Sequence, residues 1–191
     1  GFFRIERLRL RHRRPDGSWT GPYHREVFER GHAVAMLPYD PGRDRVVLIE
    51  QLRAPALLAG SPVRQIEIPA GIVESGETPE GVAERELREE TGLAARALRR
   101  ILRMLPSPGG SSESITLYLA RVESAGAGGH FGLASEQEDI LVRALPAQEA
   151  FRLAETGAIE NAAALLALQW LQLHRDDPDL FQALPPSRPS R

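Results

Sequence analysis

The 191-residue chain contains no cysteine. Disulfides and thiolate zinc sites are therefore excluded. No apolar run reaches the ~18 residues that a spanning helix needs, and no signal peptide is visible. A cytoplasmic protein that does not enter the membrane is the expectation. A large charge of one sign is missing too: 24 basic and 26 acidic side chains leave a net charge of −2. That balance gives no footprint for nucleic acid or an anionic membrane. There is no Walker loop, which removes the P-loop kinases, and the dispersed basic residues form no evident nucleic-acid groove. No internal repeat is apparent.

Apolar residues make up 42% and charged residues 26% of the chain, ordinary globular values. Such a length buries about 70% of the unfolded surface. In the basic run from Arg4 to Arg14, Phe3, Ile5, Leu8 and Leu10 are interspersed with arginines. This suits strands with one wet face better than an RNA-binding arm. Strands are expected over 2–12 and 22–29, joined at Pro15-Asp16-Gly17, forming a small N-terminal antiparallel sheet. Further strands are expected over 32–40, 45–53, 64–71, 97–105, 114–122 and 138–146.

A helix is expected over 79–91, and two more over 147–156 and 159–175. In the last, Ile159, Ala162, Ala163, Leu166, Trp170 and Leu173 keep a helical period and read as a core stripe. Residues 177–191 read as a Pro-rich, frayed tail. The expected division is a segment at 1–30, a main domain at 31–176 and this tail. The order of elements fits an α/β (α+β) fold, a mixed sheet with helices on its faces.

Carboxylates crowd residues 71–93, GIVESGETPEGVAERELREETGL. Thr78-Pro79-Glu80 reads as a helix entry and Gly92 as the stop. On that helix Glu86, Glu89 and Glu90 stand at i, i+3 and i+4, sharing one face. A solvated acidic face is the plain reading of REXXEE alone. A divalent-metal site is the other reading, since hard cations take oxygen ligands.

The longer pattern decides for the second. Gly71, Glu77, Arg85, Glu86, Leu87, Glu89, Glu90, Gly92 and Leu93 stand at the spacing of the Nudix box, with a chance match of about 10⁻⁸ per start position. The chain resembles the Nudix hydrolases. The resemblance implies their α/β/α sandwich and metal-dependent hydrolysis of a diphosphate. It also implies metal ligation by Glu86 and Glu90, assistance from Glu89, and an Arg85–Glu77 pair that orients the box, with Gly71 as a loop turn.

Segments outside the box, among them REVFERGHAV (25–34), VVLIEQLR (46–53), EIPAG (67–71), SPGGSSE (107–113) and EQEDI (136–140), resemble the bacterial ADP-ribose pyrophosphatases. Pro108, sixteen residues after Gly92, matches a proline of the ADP-ribose-specific members, and it also suits a turn. The likeness implies Glu136 as general base, Glu138 and the Ala70 carbonyl as metal ligands, and two or three Mg²⁺ (or Mn²⁺) per site. The Gly-rich stretch 125–132 is the expected hinge of the acidic loop.

Phe2, Arg25 and Arg53 match adenine-contacting positions, the aromatic coming from a partner subunit. This implies a homodimer with exchanged N-terminal strands. Ser107 matches the terminal-ribose side or serves a turn. Two alternatives stay open: another nucleoside diphosphate sugar such as GDP-mannose, or a non-catalytic ADP-ribose-binding module.

Overall fold

Residues 32–40 are apolar nearly throughout, because the strand they form is covered on both faces. Val34 and Met36 enter one apolar cluster while Ala35, Leu37 and Tyr39 enter another, as side chains alternate along a strand. The structure is a computed structural model describing residues 3–133, 135 and 137–182. In chain order the strands are β1 (Arg4–Leu10), β2 (Tyr23–Glu29), β3 (His32–Asp40), β4 (Arg45–Leu52), β5 (Arg64–Glu67), β6 (Ala70–Val73), β7 (Ala97–Met104), β8 (Ile115–Arg121), β9 (Gly128–Phe131) and β10 (Ile140–Pro146). The helices are α1 (Ala54–Leu58), α2 (Pro79–Thr91), α3 (Ala147–Glu155) and α4 (Ala162–His174).

Among the described residues eight strands form the main sheet, in the order β7-β8-β3-β4-β10-β9, with β5 on β4 and β6 on β3. The β3–β8 pair is parallel and the others antiparallel, so the sheet is mixed. Val82, Ala83 and Leu87 of α2 cover one face, and α3 and α4 cover the other. β1 and β2 form a separate antiparallel ribbon, from Arg4↔Glu29 to Leu10↔Tyr23. It is tied to the core where the Phe28 N–H donates to the Gly110 carbonyl at 2.8 Å. No helix among the described residues is long and apolar enough to cross a membrane.

Helix α2 has the bounds its sequence announces. The Thr78 hydroxyl accepts from the Gly81 N–H at 3.2 Å, Pro79 occupies the first turn, and Gly92 closes the helix at φ 71°. A left-handed residue at that point favours glycine. A side chain there would also strike Phe131, 2.7 Å from the position of a Cβ.

Other elements depart from expectation. The strand expected over 64–71 is two strands, because the chain leaves β4 after Glu67 and joins β3 at Ala70. Ile68 and Pro69 make the crossing, and proline supplies no N–H to a ladder. Arg53 ends no strand; it caps α1, a helix the sequence did not announce. Four residues of the expected glycine hinge form edge strand β9 on β10, since pairing overrides the weak strand preference of glycine.

The face of α4 that is buried comprises Ala163, Ala164, Ala167, Leu168 and Leu171, whereas Leu173 is 81% exposed. A helix apolar nearly all round does not reveal its buried side by period. Nor is the whole tail frayed. Leu180 is buried, and Arg99 Nη1 donates to the carbonyls of Asp179 (3.1 Å) and Leu180 (2.7 Å). The rest of the tail, 183–191, lies outside the described residues.

Candidate active site

Strand β6 and helix α2 meet at the carboxylates. The Ala70 N–H donates to Glu90 Oε2 at 3.0 Å, which draws the end of the helix onto the start of the strand. Gly71 is not a loop turn. It lies within β6, and its φ is not positive. The residue type is needed for space: a Cβ at Gly71 would stand 2.1 Å from Glu86 Oε1. Glycine thus lets a carboxylate lie directly on the strand backbone.

Arg85 is the electrostatic hub. Its guanidinium lies 2.9 Å from Glu86 Oε1, 3.0 Å from Glu89 Oε2 and 3.6 Å from Glu77 Oε1. Glu77 also accepts the Glu74 N–H at 2.9 Å, so it joins the loop before α2 to the hub. Burial pushes the Glu90 carboxyl up to about 8; the Ala70 N–H opposes this, and the negative charges of Glu86 and Glu138 add to it. Burial also raises the Glu86 carboxyl, with Arg85 opposing and Glu89 and Glu138 reinforcing. Carboxylates at such a point gain strongly from a cation among them.

These groups line a cleft of about 340 Å³. Ala70, Gly71, Arg85, Glu86, Glu89, Arg53 and Glu138 all border it, and Glu90 lies buried behind. Glu138 Oε2 accepts the Leu133 N–H at 3.3 Å, a bond within the acidic loop, and both residues border the cleft, so the loop lies beside the box although it is far along the chain. Arg30, Ala33, Ile72, Glu74 and Leu133 complete the lining. Sequence reasoning missed them because no spacing or motif distinguishes them; only the pairing of β6 with β3 brings Ala33 opposite Ile72.

Among the described residues no three carboxylates are gathered closely enough to form a finished metal-binding group. The donor chemistry nonetheless fits a hard divalent cation, because glutamate oxygens are the ligands such ions take. Arg53 is answered by Glu67 at 2.8 Å and Arg30 by Glu113 at 3.4 Å. Arg85 answers Glu86 and Glu89, and the cation whose charge reaches Glu90 and Glu138 is Arg53, already paired with Glu67, so the site keeps a negative excess suited to a cation.

Other expected site residues stand apart from the cleft. Arg25 is on β2 with its guanidinium 4.6 Å from the centre of the Tyr23 ring. Ser107 and Pro108 belong to a turn in which the Ser107 carbonyl accepts from Gly110 (3.1 Å) and Ser111 (2.8 Å). Neither Arg25 nor this turn borders the cleft. Phe2 and Glu136 lie outside the described residues.

The box, the acidic loop and the cleft between them all fall within residues 29–171, the stretch that matches the NUDIX domain family. The ADP-ribose pyrophosphatase of Escherichia coli (strain K12) is 45% identical over 174 residues, covering 91% of this chain and 83% of that protein. The ADP-ribose pyrophosphatase of Haemophilus influenzae (strain ATCC 51907 / DSM 11121 / KW20 / Rd) is 41% identical over 177 residues, with 91% and 82% covered. The GDP-mannose pyrophosphatase of Enterobacter sp. (strain 638) is 35% identical over 153 residues, covering 78% of each. On the family match and these identities, the chain belongs to the Nudix hydrolases, which generally use divalent metal ions.

Proposed function

We propose that this Nudix hydrolase cleaves the diphosphate of ADP-ribose to AMP and ribose 5-phosphate. The observation that carries the substrate is the breadth of likeness: 45% identity over 91% of the chain to an ADP-ribose pyrophosphatase, against 35% over 78% to a GDP-mannose pyrophosphatase. Glu86, Glu90, Glu138 and the Ala70 carbonyl are assigned to hold Mg²⁺, or Mn²⁺ in its place, with two or three ions per site and Glu89 in support. When bound, the ions neutralise phosphate charge and lower the pKa of the attacking water.

Glu136 is assigned as the base. It takes a proton from the water as that oxygen bonds to phosphorus and the bridging P–O bond breaks. Arg85 and Glu77 keep the box carboxylates oriented. Arg53 and Arg25 contact the adenine, and Phe2 from a second copy completes its site. Ser107 is assigned to the terminal-ribose side and Pro108 to substrate binding. Residues 1–30 then form a dimerisation and base-binding segment beside a catalytic domain at 31–176. The exposed apolar residues Ile5, Leu8 and Trp19 support such an exchange, since a second copy would cover them.

Hydrolysis of ADP-ribose, GDP-mannose, UDP-glucose, NADH and a diadenosine compound with Mg²⁺ tests the substrate. The highest kcat/KM is expected for ADP-ribose; preference for GDP-mannose overturns the choice. Glu136→Gln should lower turnover ~10² to 10⁴-fold with the fold intact, as for loss of a positioned base. Light scattering should report a dimer, and an active monomer would remove the second-copy contribution.

A further inference from the structure

Glu67, at the end of β5, is 5% exposed. A carboxylate so buried requires close compensation. It stands opposite Ile49 in the β4–β5 register, so Gln51 lies diagonally across from it on the same face of the sheet. Gln51 Nε2 donates to Glu67 Oε2 at 3.2 Å. Arg53 Nε donates to Oε1 (3.2 Å) and Oε2 (3.1 Å), and Arg53 Nη2 donates to Oε2 at 2.8 Å. The Arg53 backbone is fixed as well, its N–H donating to the Val63 carbonyl at 2.7 Å.

The whole of this bonding uses one edge of the guanidinium, Nε and Nη2. The side chain remains 45% exposed and borders the cleft. We propose that Glu67, braced by Gln51, is a positioning residue for the reaction: it clamps one edge of Arg53 so that Nη1 meets the substrate in a single orientation. This role rests on the proposed function, in which Arg53 touches the substrate. Arginine has large rotamer freedom to lose on binding, and a two-point fork removes that freedom before substrate arrives.

Steady-state kinetics with ADP-ribose in the full chain tests the role. Glu67→Gln should raise KM ~10-fold, the equivalent of re-ordering one free side chain on binding, with kcat within about threefold, the pattern of lost uniform binding. Arg53→Lys, which keeps the charge but loses the fork, should raise KM similarly. The double variant should be no worse than Arg53→Lys alone. Additive effects, an unchanged KM, or a loss confined to kcat overturns the role.

The Arg53 Nε–H resonance of the wild-type chain, assigned by its loss in Arg53→Lys, supplies a readout that needs no folded Glu67 variant. Slow exchange with solvent is expected, and rapid exchange overturns the clamp. A wild-type chain that hydrolyses no diphosphate on the panel overturns the proposed function and this role together. An active wild type with additive variants overturns only the role of Glu67.

Discussion

The two helical layers on either side of the main sheet are built from opposite materials. On one side, α3 and α4 meet the sheet through Ala150, Phe151, Ala164, Ala167 and Leu168, all fully buried and apolar. On the other, α2 buries Val82, Ala83 and Leu87 but also buries Glu90. The first layer only stabilises; the second gives up some apolar contact to bring carboxylates to a strand backbone. Burial of a charge without a full partner is costly, so the α2 layer is where stability is exchanged for chemistry.

Replacement of Leu168 by alanine probes the apolar layer and should have the largest effect. A fully buried leucine truncated to alanine costs about 2–5 kcal/mol, so thermal unfolding should move down by many degrees. The KM of the still-folded enzyme should not change. A raised KM would mean that the α4 layer reaches the cleft after all.

The acidic layer is tested by Gly71→Ala, which places a methyl on Glu86. Displacement of a catalytic group by an ångström costs ~10²-fold in rate, and turnover should fall by that order while the sheet stays folded. Unaltered turnover would show that the Glu86 side chain is free to retreat. The two variants together should separate the layers: one loses stability, the other activity.

The smallest expected effect lies outside both layers, at the far end of β3. Burial raises the Asp40 carboxyl, but hydrogen bonds from the Ser124 N–H and hydroxyl and from Arg43 hold it down to about 2. A carboxyl depressed on folding contributes stability that is full above the unfolded value of 3.8 and lost as pH falls through about 2. Ser124→Ala removes one bond to a charged group, about 1.5–3 kcal/mol, and should shift acid unfolding to higher pH. Neutral-pH kinetics should be untouched. An unshifted acid transition would show that the Ser124 N–H and the Arg43 bonds sustain Asp40 without the hydroxyl.

Legibility followed the same division. The α2 box could be read because its carboxylates, its Thr78 cap and its Gly92 stop are local, and a helix puts residues i, i+3 and i+4 together without help from the rest of the chain. Gly71 was misread because its reason is a contact with Glu86, not a turn. β9 was missed because Gly128 and Gly129 suggest flexibility until β10 pairs with them. The buried face of α4 was legible only in part, Ile159 and Ala163 of the expected stripe being buried but Leu173 exposed, because both faces are apolar and only the sheet chooses between them. Arg53 was visible in sequence, whereas its anchors Glu67 and Gln51 were not, since the β4–β5 register alone brings them into contact.

By itself the sequence determined the family, the layered fold and the carboxylate helix, because each rests on spacing within one element or on a long ordered pattern. Only the tertiary structure decided where the cleft lies and that the Glu67–Arg53 pair borders it. Those contacts join residues far apart along the chain, and strand register and crossing, not local propensity, place them.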